Sequence, residues 1–144
     1  MLKLDDKDHK IIAVLKENSR TSIRSIAKKT KIRPSTVHQR ISKLKENGVI
    51  ERFTLKLDNK AVGEDFIVIM LVKGDTTDYF TDVDLSNDNV KEAFGVTGDH
   101  DIMLKLKFKD INEFNEYVIN FRKAHKFVRS TVTLVVTAVL KEEL

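Results

Sequence analysis

The chain has no cysteine, which excludes disulfides and thiolate metal sites and suits a reducing cytoplasm. Long apolar runs are also missing. The longest, Phe66 to Val72, falls far short of the roughly 20 residues a spanning helix needs, and no apolar stretch follows the N-terminus. Neither a membrane span nor a secretory leader is expected. Glycine occurs five times without forming a Gly-rich phosphate loop, and the four histidines (His9, His38, His100, His125) are scattered at no metal-ligand spacing. No nucleophile elbow or catalytic triad is present. An enzyme is therefore not expected, and no cofactor or metal is called for. There is no internal repeat and no low-complexity tract. Hydrophobic residues make up 41% of the 144, which is enough for a core and argues against disorder.

Acidic residues are scarce in one half only. Residues 1–58 hold 15 lysines and arginines against 7 aspartates and glutamates, whereas residues 59–144 hold 11 against 15. The first part suits a polyanion and the second need not, so two tasks are expected. The basic part reads as three short helices. Leu4, Ile11, Ile12 and Leu15 share one face behind an Asp5 N-cap, and the helix should end near Asn18. Ser22 caps a second helix with Ile23, Ile26 and Ala27 inward. A tight turn, Thr30 to Arg33, leads to Pro34, the only proline, placed where its missing N–H costs nothing. Val37, Ile41 and Leu44 form the third stripe, and Gly48 fits a left-handed C-terminal cap. This is helix-turn-helix geometry.

From Ile50 to Leu57 apolar and polar residues alternate, which predicts a strand with one apolar face. Phe66 to Val72 reads as a buried strand. Tyr79, Phe80 and Val83 suggest a short helix, weakened by five aspartates between Gly74 and Asn89. Val90 to Thr97 and Ile102 to Phe108 read as hairpin strands joined by Gly98-Asp99-His100-Asp101. Asp110 and Glu113 resemble a capping box ahead of the stripe Ile111, Phe114, Val118 and Phe121. Phe127 to Leu140, rich in Val and Thr, predicts a long last strand. The order βαββαβ is ferredoxin-like. The fold class expected is α+β: an N-terminal winged-type helix-turn-helix domain (residues 1–48), a strand and linker (49–62) and a C-terminal ferredoxin-like βαββαβ domain (63–144).

A helix that enters a major groove presents polar side chains opposite its packing stripe. With Val37, Ile41 and Leu44 inward, that face holds Ser35, Gln39, Ser42 and Glu46, flanked by Thr36 and Lys43, with His38 and Arg40 on the shoulders and Glu46 near the helix end, clear of the phosphates. Gln39 can bond bidentately to adenine, and Ser35 and Thr36 can meet several base edges. Arg40, Lys43 and Lys45 suit phosphates, with Lys31 and Arg33 beside the turn. An ordinary solvated face has the same composition. In the second half, the Gly98–Asp101 loop has carboxylates and backbone N–H groups that match a free amino acid, with Thr131 and Thr133 adding hydroxyls. On residues alone, the plainer reading of that loop is a hairpin turn that contains Gly and Asp.

Taken in series, these residues resemble the Lrp/AsnC (feast/famine) family of transcriptional regulators. Leu4-Asp5 with Asp8, Arg20-Thr21-Ser22, Ile26-Ala27, Val37, Arg40-Ile41, Leu44 and Gly48-Val49-Ile50 fit the first half of its pattern. Val96-Thr97-Gly98-Asp99-His100-Asp101, Val128, Thr131 and Thr133 fit the second. The resemblance implies a cytoplasmic, sequence-specific regulator of double-stranded DNA. It implies a homodimer with paired linker strands, assembling further to an octamer. An amino-acid effector would bind near Gly98, Asp99, His100, Asp101, Thr131 and Thr133. Lys31 stands where the family has a turn glycine, Arg33 where it has a capping serine, and the Asp75–Asp88 stretch where it has a better helix. A left-handed lysine costs about 1 kcal/mol, and a missing cap about 0.5–2 kcal/mol. Two rival readings remain: a DNA-packaging or global chromatin-type protein without effector control, and a metabolite-binding module that has lost DNA contact.

Overall fold

Asp5 opens the first helix. Its side chain accepts from the N–H groups of Lys7 and Asp8, and the Asp8 side chain accepts from the Asp5 N–H, which closes a capping box. Helix α1 then spans Asp6–Glu17, α2 spans Ile23–Thr30 behind the Ser22 cap, and α3 spans Pro34–Glu46. The computed structural model describes residues 2–74 and 81–142, which form two compact units dividing between Lys56 and Leu57. In the first unit Ile11, Val14, Ile26, Ala27, Ile32 and Val37 make one core, with Leu15, Ile23 and Ile41 packed against it. The second and third stripes meet as expected from sequence, whereas in the first it is Val14, not Leu4 or Ile12, that joins Ile11 in the core.

The second unit is a four-stranded antiparallel sheet, built from β1 (Phe66–Gly74), β2 (Val90–Gly95), β3 (Ile102–Phe108) and β4 (Val128–Val135) in the order β2-β3-β1-β4. Between strands lie α4 (Asp82–Leu85) and α5 (Ile111–Ala124), so the chain order is βαββαβ and the topology is ferredoxin-like. Val68, Met70 and Val72 of β1 and Ile102, Leu104, Leu106 and Phe108 of β3 face Phe114 and Phe121 of α5 in the core. On the other face, which is otherwise partly exposed, Lys105 and Lys107 meet Glu142, beyond β4. Glu142 Oε1 lies 2.6 Å from Lys105 Nζ and 3.0 Å from Lys107 Nζ, and Asn59 Oδ1 accepts from Lys107 Nζ at 2.7 Å. That pairing accounts for a lysine, Lys107, that is buried.

Several expectations need correction. Within one copy, residues 50–57 carry no strand pairing among the described residues, and Phe53, Leu55 and Leu57 are exposed. Alternation proposes a strand, but a strand exists only with a partner. The last strand stops at Val135 rather than Leu140: regular pairing with β1 breaks off opposite Val68, two residues before β1 itself ends at Phe66. Val135 pairs with Val68, and a single further bond joins Val136 N–H to the Ile67 carbonyl. β2 ends at Gly95 rather than Thr97, where the Val96 N–H turns to the Asp101 carbonyl. Of the aspartate-rich stretch only a four-residue helix is described, and its Val83 is exposed; Tyr79 and Phe80 lie outside the described residues. Asp110 does cap α5, yet Glu113 reaches back to the Lys109 N–H at 2.6 Å rather than to Asp110.

Candidate nucleic-acid interface and effector loop

Helix α3 begins at Arg33, whose φ of −58° and ψ of 139° suit an N-cap but whose side chain accepts nothing, followed by Pro34. The turn before it places Lys31 at φ 59°, ψ 30°, the left-handed conformation that favours glycine. Ile32 is buried while Lys31 and Arg33 are exposed, so the turn is pinned by one side chain and offers two cations to solvent. Val37 and Leu44 are fully buried beneath α3. Ser35, His38, Gln39 and Lys43 are exposed, and Thr36 and Ser42 are half-buried beside them. No acid occupies the first turn of α3, so nothing on this helix offsets the positive end of its dipole. These polar and basic residues are exposed or half-buried, whereas Val37 and Leu44 of the same helix are buried.

Two cations behave differently from the rest. Lys45 Nζ sits 5.9 Å from the centre of the Phe53 ring, a cation–π contact. Arg40 turns inward: its Nη1 lies 2.6 Å from Asp5 Oδ2 and 3.1 Å from both oxygens of Asp8. Asp8 is buried and Asp5 is half-exposed. The Asp8 backbone N–H, then the Arg40 guanidinium, hold the Asp5 carboxyl below its ordinary value, and Asp5 and then Asp8 push Arg40 up in turn. Sequence reasoning assigned Arg40 to phosphates because only its own helix was in view. The available signal was the pair of acids at the start of α1.

The β2–β3 loop holds Gly98 at φ 125°, with Gly98 and Asp99 exposed and His100 and Asp101 half-buried. Asp101 is committed to the fold. Its Oδ2 accepts from the Gly74 N–H at 2.9 Å, and its own N–H donates to the Val72 carbonyl at 2.9 Å. Thr131 pairs with Val72, which pairs with Ile102, so loop and threonine share one end of the sheet. Two strand spacings, about 10 Å, separate them. Thr133 lies one row further along, opposite Met70.

A cavity of about 390 Å³ lies elsewhere, between α4, α5 and β3, lined by Asp84, Leu104, Tyr117, Asn120 and His125 among others; no expected effector residue lines it. There His125 Nε2 meets Asp84 Oδ1 at 3.0 Å. Burial pushes the Asp84 carboxyl up, but the Thr81 hydroxyl and N–H with His125 outweigh it, and the group titrates below its usual range. Burial, with a smaller push from Asp84, raises Tyr117 to about 12. Periodicity gave no hint of this pair, because Asp84 and His125 are distant in sequence. Among the described residues no group of three or more His, Cys, Asp or Glu is placed to hold a metal, and no helix is long and apolar enough to cross a membrane.

Two family models match the chain: winged helix-turn-helix DNA-binding over residues 4–51, and the Lrp/AsnC ligand binding domain over residues 66–144. An uncharacterized HTH-type transcriptional regulator of Pyrococcus abyssi is 37% identical over 142 residues, covering 97% of this chain and 96% of its own length. The HTH-type transcriptional regulator FL11 of Pyrococcus furiosus is 32% identical over 141 residues, covering 96% and 93%. Among solved structures, AsnC of E. coli superposes with a TM-score of 0.87 at 27% identity, covering 99% of this chain and 98% of its own. A Neisseria meningitidis transcriptional regulator in complex with L-Met shares the fold, with a TM-score of 0.86 at 23% identity, covering 98% and 94%.

Proposed function

The chain belongs to the Lrp/AsnC family of transcriptional regulators, and from that premise we propose how its two units divide the work. It is a DNA-binding transcriptional regulator, not an enzyme, with a helix-turn-helix unit followed by an Lrp/AsnC ligand-binding domain. In our reading α3 lies in the major groove. Gln39 bonds bidentately to a base, while Ser35, Thr36, His38 and Ser42 meet neighbouring edges. Lys31, Arg33 and Lys43 hold phosphates on either side. The observation that carries this reading is the exposed polar and basic face of α3, standing opposite buried Val37 and Leu44 with no acid in its first turn.

The second unit, in the same proposal, takes an amino acid or a related small metabolite beside the Gly98–Asp101 loop. Asp99 receives the ammonium, the loop N–H groups and His100 receive the carboxylate, and Thr131 and Thr133 line the approach. Asp101 holds the loop in place for that ligand through its bond to Gly74. Support comes from the match to a ligand binding domain, and the L-Met complex of a protein with this fold gives the ligand class. Exposed Phe53, Leu55 and Leu57 in the linker, and Phe94, Val132 and Leu134 on the open sheet face, favour a homodimer that builds to an octamer. Acting on DNA, it would work in the cytoplasm.

Selection of bound duplex from a random pool, with and without each of the twenty amino acids, tests the reading. We expect one enriched motif, with affinity or stoichiometry altered by one amino acid. Enrichment of no motif, with DNA coated uniformly, would favour packaging instead. Calorimetric silence toward every amino acid would remove the effector.

A further inference from the structure

The Arg40 cluster is the place where the fold departs most from the DNA-contact reading. A guanidinium on the groove-facing helix would be expected to reach outward. Here one nitrogen, Nη1, meets three carboxylate oxygens at 2.6, 3.1 and 3.1 Å. The receiving carboxylates are themselves fixed. Asp5 Oδ1 accepts from the N–H groups of Lys7 at 2.9 Å and Asp8 at 3.0 Å, and Asp8 Oδ2 accepts from the Asp5 N–H at 3.1 Å. The capping box that starts α1 is therefore also the anchor for the middle of α3. Asp8 is only 4% exposed, so its charge needs a partner in the fold.

We propose that Arg40 is a positioning residue for DNA recognition: it sets the rotation of α3 about its own axis by tying the helix to the capping box of α1. Gln39 precedes Arg40 by one residue, about 100° around the helix. A helix free to rotate would swing Gln39, Ser35 and Ser42 off the base edges. The packed stripe sets which face turns inward, and the charge-assisted bonds from Arg40 add a directional constraint on the angle. Phosphates are left to Lys31, Arg33 and Lys43, all exposed.

The inference rests on the proposed DNA contact of α3, and its test separates the two. Equilibrium binding of the full chain is measured against the duplex recovered from the random pool and against a random duplex, over a range of salt. Every variant is held below its own unfolding transition. Arg40→Gln should bind the selected duplex about tenfold more weakly, keep the wild-type salt slope, and leave random-duplex affinity nearly unchanged. Asp5→Asn with Asp8→Asn makes the chain more positive, which by charge alone tightens binding. A positioning role requires the opposite: weaker binding to the selected duplex and a lower ratio of selected to random affinity. If Arg40→Gln destabilises the unit, Arg40→Gln with Asp8→Asn removes the unpaired charge and should show the same lowered ratio. The proposal is overturned if Arg40→Gln lowers the salt slope by about 0.9, the value of one phosphate, with the ratio preserved. Tighter selected binding by the Asp5/Asp8 variant overturns it equally. A wild-type chain that binds no duplex would overturn the regulator reading and the positioning role with it.

Discussion

Lys31 and Arg33 each occupy a backbone position that another residue would fill more cheaply. Lys31 adopts φ 59°, ψ 30°, and Arg33 caps α3 without a side-chain acceptor. Lys31→Gly should therefore stabilise the unit by up to about 1 kcal/mol, and Arg33→Ser by about 0.5–2 kcal/mol, read from urea midpoints. If both cations meet phosphates, each stabilising change also lowers the salt slope of DNA binding by about 1. An unchanged slope for both would leave them as surface charges. Gly74 is constrained by space rather than φ: an added Cβ would lie 2.8 Å from the Phe127 carbonyl oxygen. Gly74→Ala should cost roughly 1–3 kcal/mol and loosen the bond to Asp101 that steadies the effector loop. At this scale the sequence was informative wherever a residue acts on its own backbone: the Asp5 and Ser22 caps and Pro34 were legible from type and position. Arg40 was not, because its partners belong to another helix.

The elements join through contacts that pH can probe. The Asp5 carboxyl in the α1 capping box titrates below its ordinary value of 3.8, so its contribution is full above that value and is lost as pH falls through the folded-state value. The helical unit should lose stability on acidification below about pH 4, and Arg40→Gln should flatten that dependence. On α5, Tyr117 lies edge-on to Phe108 at 5.3 Å and stacks on Phe121 at 5.9 Å. Its phenol is pushed up to about 12, so its stabilising share is full below about pH 10 and is lost as pH rises toward 12. In a Tyr79→Phe chain, the tyrosinate absorbance should rise near pH 12; a midpoint near 10 would contradict the burial seen here. The chain order βαββαβ of the second unit followed from periodicity, whereas strand ends did not. β4 ends opposite Val68 although β1 runs on to Phe66, and residues 50–57 have strand alternation but no strand pairing among the described residues.

On the scale of the whole molecule, charge and exposure point to one arrangement of tasks. The basic excess of residues 1–58 coincides with the helical unit, and the second unit leaves Phe94, Val132 and Leu134 uncovered on its open sheet face. Sedimentation equilibrium should find a dimer or larger assembly, and Phe53→Asp with Leu55→Asp should weaken it. A monomer at micromolar concentration would remove the assembly from the account. The central claim is that the exposed face of α3 reads DNA. Footprinting of wild type and Gln39→Ala on the selected duplex tests it most directly. The account predicts a discrete protected site, with Gln39→Ala costing about 1–3 kcal/mol and relaxing preference at one base pair. Equal protection by both proteins, with unchanged base preference at every position, would contradict it.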